Sequence, residues 1–108
     1  MKGAIERILG CCTHYYSSSG PQLLTDAKIV TIKQDVSNLG STGMRVIGLA
    51  EGWNPEKMVY CGIVGIIDPP KHRVEESVAV VQQSGVKVAM ITGDAMETAC
   101  FIGVYFCL

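Results

Sequence analysis

No run of apolar residues in this 108-residue sequence is long enough to cross a bilayer. The two longest, residues 58–67 and 99–108, are each about half of the ~20 residues a spanning helix needs. Any membrane part of the function is therefore expected outside this sequence. A basic excess is lacking too: nine Lys and Arg against ten Asp and Glu leave a net charge of −1. With a pI near 6.1, the chain shows no footprint for nucleic acid or anionic lipid. Its five cysteines (Cys11, Cys12, Cys61, Cys100 and Cys107) are odd in number and lack framework spacing. That argues against a secreted disulfide scaffold and for free thiols in a reducing compartment. Adjacent Cys11 and Cys12 beside His14 lack structural-zinc spacing and have no second ligand pair, so no metal site is expected. No leader peptide is expected at the start, where Glu6 and Arg7 interrupt any apolar core.

What is present describes a globular chain, 48% hydrophobic and 18% charged, of a size for one small domain or pieces of two. Ile5, Ile8 and Leu9 fall at helical spacing within residues 4–12. Residues 13–21 are polar, rich in small side chains and end in Gly20-Pro21, which predicts a loop. Thr25-Asp26 then caps a helix running to Leu39, with Ile29, Ile32, Val36 and Leu39 on one face, and residues 40–43 stop it. Residues 44–49 and 58–67 predict an antiparallel strand pair joined by a turn at residues 52–56, where Trp53 is expected to pack.

Asp68-Pro69-Pro70 ends the second strand rigidly, because proline cannot donate to a ladder and holds the chain extended. It reads as a hinge or as a plain stiff linker. Beyond it the period changes. Val74, Val78 and Val81 predict an amphipathic helix ending at Ser84-Gly85, residues 86–91 a buried strand, and Asp94 with Glu97 a capping box for a last helix. That last helix is expected to carry Met96, Ala99 and Cys100 on one face. Helix, strand, polar turn, helix predicts an α/β fold with a parallel sheet.

In such folds ligands gather at the carboxyl ends of strands, where Thr92-Gly93-Asp94 stands. A hydroxyl, a glycine permitting close backbone approach and a helix start suit a phosphate. A capped strand-to-helix connection explains the same three residues equally well. Lys2 taken singly is a solvated terminal charge. Arg45, interrupting a strand-like apolar stretch, is either a functional cation or the outward residue of a pleat.

Four stretches taken in order resemble the P-type ATPase family: Lys2-Gly3-Ala4, Gly43-Met44-Arg45-Val46-Ile47-Gly48-Leu49-Ala50, Gly65-Ile66-Ile67-Asp68-Pro69-Pro70 and Met90-Ile91-Thr92-Gly93-Asp94. Within it, the wording around the prolines and around Thr92 is similar to the calcium pumps, the secretory-pathway (Golgi calcium and manganese) branch above all. The resemblance implies that residues 1–67 are the C-terminal part of a nucleotide-binding domain. It implies that residues 68–108 begin an incomplete phosphorylation domain of haloacid-dehalogenase-like (Rossmannoid) fold.

Lys2 would line the adenosine pocket and Arg45 would reach the ATP phosphates. Asp68, Pro69 and Pro70 would form the hinge. Thr92 and Gly93 would hold the transferred phosphoryl group, with Asp94 ordering that loop near magnesium. ATP and Mg2+ are thus the implied cofactors, most of the magnesium ligands lying outside this chain. Calcium or manganese would be met only through membrane helices absent here. The parent would sit in the Golgi or secretory-pathway membrane with this region cytosolic.

The departures are as informative. The family's nucleophile, in Asp-Lys-Thr-Gly-Thr, and its Gly-Asp-Gly-x-Asn-Asp segment do not occur in these residues, so the chain alone is expected to be inactive. Ile5 and Lys71 replace a common proline and arginine. The tail from Gly103 to Leu108 lacks the usual polar residues and reads as an abrupt ending, of the kind a splice product or partial gene model gives. A truncated, non-catalytic nucleotide-binding or interaction fragment is the alternative, as is a fragment that aggregates through unpaired edges. A small phosphatase of the related fold would need an aspartate nucleophile that this chain does not offer.

Overall fold

The structure, a computed structural model, describes residues 1–106. A two-residue strand β1 (Lys2–Gly3) leads into helix α1 (Ile5–Cys11), where the spacing of Ile5, Ile8 and Leu9 buries all three side chains. There follow strands β2 (Cys12–Ser17) and β3 (Gly20–Leu23), helix α2 (Asp26–Gly40), strands β4 (Arg45–Glu51) and β5 (Met58–Ile66), and helices α3 (Val74–Gln83) and α4 (Met96–Tyr105). The strands form one mixed sheet in the order β1-β4-β5-β2-β3.

The β4–β5 hairpin is antiparallel as the sequence predicts, with Arg45 opposite Ile66 and Gly48 opposite Ile63. An irregularity between Leu49 and Ala50 leaves one extra residue, Cys61, on β5 between their partners Gly62 and Tyr60. A single parallel pair, β2 with β5, sets Tyr15 beside Tyr60. Helices α1 and α2 cover one face of the sheet. Ile5, Ile8 and Leu9 from α1, Ile32 from α2, and Ala50, Met58 and Tyr60 from the strands form the core. Closeness is bought with a glycine: a Cβ at Gly48 of β4 would stand 2.9 Å from Ile5 Cδ1 and 3.2 Å from Ile8 Cγ1.

Helix α2 starts where expected. The Thr25 hydroxyl accepts from the Lys28 N–H at 3.3 Å, satisfying one of the amides a helix start leaves open. It ends in a tightening turn in which Thr42 and Gly43 donate to Leu39 and Gly40 carbonyls at 3.1 and 2.9 Å. Gly43 then takes φ +81°, a conformation that non-glycine residues resist.

Several expectations are corrected. Residues 13–21 are not a loop but most of the β2–β3 hairpin, with Tyr16 opposite Pro21 and Ser17 opposite Gly20. Thr13, Tyr15 and Tyr16 are strand formers, and β3 is the sheet edge, where a proline is tolerated. Residues 86–91 form no strand. A strand needs a neighbour for its amides, and the sheet order β1-β4-β5-β2-β3 holds no strand from beyond β5. The expected parallel pairing beyond the prolines is therefore not made. Trp53 does not pack; it is fully exposed in the β4–β5 turn.

Asp94 and Glu97 make no capping box. Ala95 is the N-cap of α4, with no side-chain hydrogen bond, and the Asp94 carboxylate is used elsewhere. The buried positions of α4 are Thr98 and Gly103, while Met96 and Cys100 of the expected face are exposed. Cys11, Cys12, Cys61 and Cys100 are free thiols, whereas Cys107, with Leu108, lies outside the described residues.

Helix α3 forms as its valine spacing predicts, yet none of its residues is buried. The chain is correspondingly elongated, 58 × 23 × 20 Å with a radius of gyration of 17.9 Å. A compact chain of this length has about 13 Å.

Candidate functional site

A cleft of about 750 Å³ lies where β1 has ended and the edge of β4 is uncovered. Strand β1 pairs only Lys2 with Leu49 and Gly3 with Gly48, leaving residues 45–47 of β4 without a neighbour on that side. The start of α1, the C-terminal half of α2 and the start of α4 close around that edge. Among the lining residues are Lys2 from β1, Arg45 from β4, and Gly93 and Asp94 from the turn before α4. The fold thus gathers residues that the sequence holds far apart.

The two-residue period of a strand puts Arg45, Ile47 and Leu49 on one face of β4. Lys2, directly opposite Leu49, shares that face. Lys2 and Arg45 are therefore displaced along β4 by four residues, roughly 13 Å. The Arg45 Nε meets Asp94 Oδ1 at 2.9 Å, with the two side chains 57% and 27% exposed. On the other carboxylate oxygen, Asp94 Oδ2 accepts from the Thr92 hydroxyl at 3.1 Å, and the Asp94 N–H donates back to Thr92 Oγ1 at 3.1 Å. Thr92 itself is exposed and does not line the cleft, but it closes the turn that presents Asp94.

The C-terminal half is held to this site from below. Thr98, one turn into α4 and 1% exposed, donates its hydroxyl to the Met44 carbonyl at 2.9 Å. Phe101 lies over Gly43, where a Cβ would come within 2.4 Å of the ring. Asp68, Pro69 and Pro70 are exposed, follow β5 and take no part in the cleft.

The formal charges of the lining cancel: Lys2, Lys33 and Arg45 against Glu6, Asp94 and Glu97. Lys33 and Thr98 were not singled out in the sequence, and Glu6 and Glu97 were noted there only for other reasons, Glu97 as a helix cap. Each sits on a helix where a polar residue is unremarkable, so no local signal marks it. Among the described residues no group of three or more His, Cys, Asp or Glu could hold a metal ion. Both oxygens of Asp94 are already engaged. A volume of this size is within the range of small-molecule sites. Among the described residues, no helix is long and apolar enough to cross a membrane.

Three groups of the sheet are perturbed. Burial pushes the Cys12 thiol up, with the charges of Cys11 and Cys61 adding to it. Burial does the same for the Tyr60 phenol. Tyr16 is raised by the hydrogen bond its hydroxyl donates to Glu51 Oε1 at 2.5 Å.

The profile of the family described as P-type ATPase, cytoplasmic domain N, matches residues 1–73, and the chain belongs to the P-type ATPase family. Its relatives narrow the class. Calcium-transporting ATPase type 2C member 2 of Homo sapiens is 46% identical over 103 residues, covering 95% of this chain and 11% of that protein. Calcium-transporting ATPase type 2C member 1 of Bos taurus is 42% identical over 102 residues, covering 94% of this chain and 11% of that protein. Calcium-transporting ATPase 1 of Schizosaccharomyces pombe is 40% identical over 103 residues, or 94% and 12%. The chain spans about a tenth of the length of the curated relatives it matches. The resemblance read from the four motifs, to the calcium pumps and their secretory-pathway branch, is borne out.

Proposed function

We propose that this chain is a segment of an ATP-driven calcium or manganese pump of the secretory pathway, supplying contacts to ATP and to the phosphoryl group. Residues 1–67 are the C-terminal part of its nucleotide-binding domain, and residues 68–108 enter its phosphorylation domain through the hinge of Asp68, Pro69 and Pro70. The pump sits in the Golgi membrane with this region on the cytosolic side. Lys2 takes the adenosine end and Arg45 the phosphates, an order that follows the face of β4. Thr92 and Gly93 receive the phosphoryl group, and Asp94 sets their turn. Asp94 would stand near the magnesium carried on the nucleotide phosphates, most of whose protein ligands would lie outside this chain. Lacking a phosphorylatable aspartate of its own, the chain binds nucleotide without hydrolysing it.

The observation that supports this reading best is the convergence of Lys2, Arg45, Gly93 and Asp94 on one cleft, in a chain of this family. Calorimetric titration of the full chain with ATP and magnesium tests it. Arg45→Ala and Lys2→Ala should each weaken binding by about tenfold, the size of a lost charge-assisted contact. Absence of binding in the wild type, or unchanged affinity in both variants, would sink the assignment. In an intact pump carrying this segment, Thr92→Ala should impair phosphoenzyme formation while sparing nucleotide binding.

A further inference from the structure

We propose that Thr98 is a positioning residue for the phosphate end of the cleft, holding Asp94 and its turn in place against Arg45. The inference rests on the nucleotide reading above and adds to it a lining residue whose hydroxyl is committed to the Met44 carbonyl.

Two other helical hydroxyls bond their own helix one turn back: Thr31 to the Ala27 carbonyl at 3.1 Å and Ser77 to that of Arg73 at 2.7 Å. Thr98 does not. Its hydroxyl leaves α4 and reaches the Met44 carbonyl, 54 residues away in sequence, at 2.9 Å. It does so from a nearly water-free position, 1% exposed. Met44 immediately precedes Arg45, and Asp94 lies one helical turn before Thr98. The bond therefore ties the backbone that presents Arg45 to the helix turn that presents Asp94.

Besides the packing of Phe101 over Gly43, two polar contacts join these segments, and their strengths differ. The Arg45–Asp94 ion pair is substantially exposed, and such pairs contribute little and are screened by salt. A hydrogen bond whose donor is buried contributes more, chiefly because leaving its partner unmade is unfavourable. The surroundings reinforce the seat. A Cβ on Gly40 at the end of α2 would stand 3.3 Å from Glu97 Cβ and 3.7 Å from Thr98 Oγ1, so glycine lets α4 approach. The ion pair is thus the consequence of the seat, and Thr98 its anchor.

The test is equilibrium titration of the full chain with ATP and with AMP, each with magnesium, for wild type, Thr98→Val and Thr98→Ser. Thr98→Val keeps the shape and loses the donor. It should lose about fivefold in ATP affinity with AMP affinity unchanged, the size of one hydrogen bond transmitted to the phosphate end. Thr98→Ser, which keeps the hydroxyl, should stay within about twofold of wild type. ATP and AMP affinities falling together in the valine variant would mean a general structural role and overturn the proposal. So would unchanged ATP affinity, or a serine variant as weak as the valine one. If Thr98→Val does not fold, Gly40→Ala takes its place, since it displaces α4 without altering Thr98. An ATP-selective loss there supports the proposal, and unchanged ATP affinity overturns it. A wild-type chain that does not prefer ATP to AMP removes the nucleotide reading and this inference with it. A wild type that does, with Thr98→Val indistinguishable from it, removes this inference alone.

Discussion

Arg45 Nε and Asp94 Oδ1 stand 2.9 Å apart, an ion pair that joins the first residue of β4 to the turn before α4. With side chains 57% and 27% exposed, it is screened by water and contributes at most about 1 kcal/mol. Asp94→Asn should therefore lower the unfolding free energy by no more than about 1 kcal/mol, measured by urea titration at low salt. In 1 M NaCl the difference from wild type should shrink further. A loss of several kcal/mol would mean the pair, not the Thr98 seat, holds the C-terminal half.

Gly43 and Gly85 make a matched pair of substitutions. Both have φ +81°, but a Cβ at Gly43 would meet the Phe101 ring at 2.4 Å while one at Gly85 meets nothing within 4 Å. Gly85→Ala should cost about 1 kcal/mol of backbone strain. Gly43→Ala adds the displacement of Phe101, about 1–3 kcal/mol more. Equal losses in thermal or urea unfolding would show that α4 does not rest on Gly43.

Ile8 has no exposed surface and sits between α1, α2 and the sheet. Ile8→Ala should cost about 2–5 kcal/mol through lost burial and the cavity left behind. A loss below about 1 kcal/mol would contradict the packing.

Alkaline pH should destabilise the chain in a definable window. Burial raises the Cys12 thiol above its ordinary 9.0 and the Tyr60 phenol above its ordinary 10.0. The unfolded chain releases both protons at lower pH than the folded one. The stability they contribute is thus complete below pH 9, falls as pH rises past 9 and then 10, and is lost above the folded values. Tyr60→Phe should flatten the part of this decline above pH 10. Urea midpoints that stay constant up to pH 11 would contradict both shifts.

How much of this was legible beforehand depended on whether a feature is local. The apolar period of α1, the Thr25 cap of α2, the β4–β5 hairpin and the valines of α3 are written within a few residues of one another. The β2–β3 hairpin was hidden because its serines, glycine and proline signal a loop, while Tyr15 and Tyr16 signal a strand only once β5 lies beside them. Residues 86–91 failed in the opposite sense. A strand-like pattern carries no information on whether a neighbour exists to accept its hydrogen bonds. The site divides the same way. Arg45 and the Thr92-Gly93-Asp94 turn stood out singly, one by its charge in an apolar stretch and the other by its turn chemistry. Their meeting, and the Thr98 bond beneath it, depend on chain folding over long distances. Nothing distinguishes Thr98 in the sequence from an ordinary helical threonine.

The outlying α3, with no buried residue in a chain 58 Å long, makes residues 67–95 a tether and α4 its tethered ligand. Docking of α4 on Gly40, Gly43 and Met44 is then an intramolecular binding event governed by effective concentration, on the order of millimolar for a short flexible connection and falling as the connection lengthens. Shortening that span would tighten the Thr98 seat without touching a single contact in it. Cleaving it at the exposed Lys71 or Arg73 would leave the same contacts between two pieces, whose reunion then depends on how much of each is present.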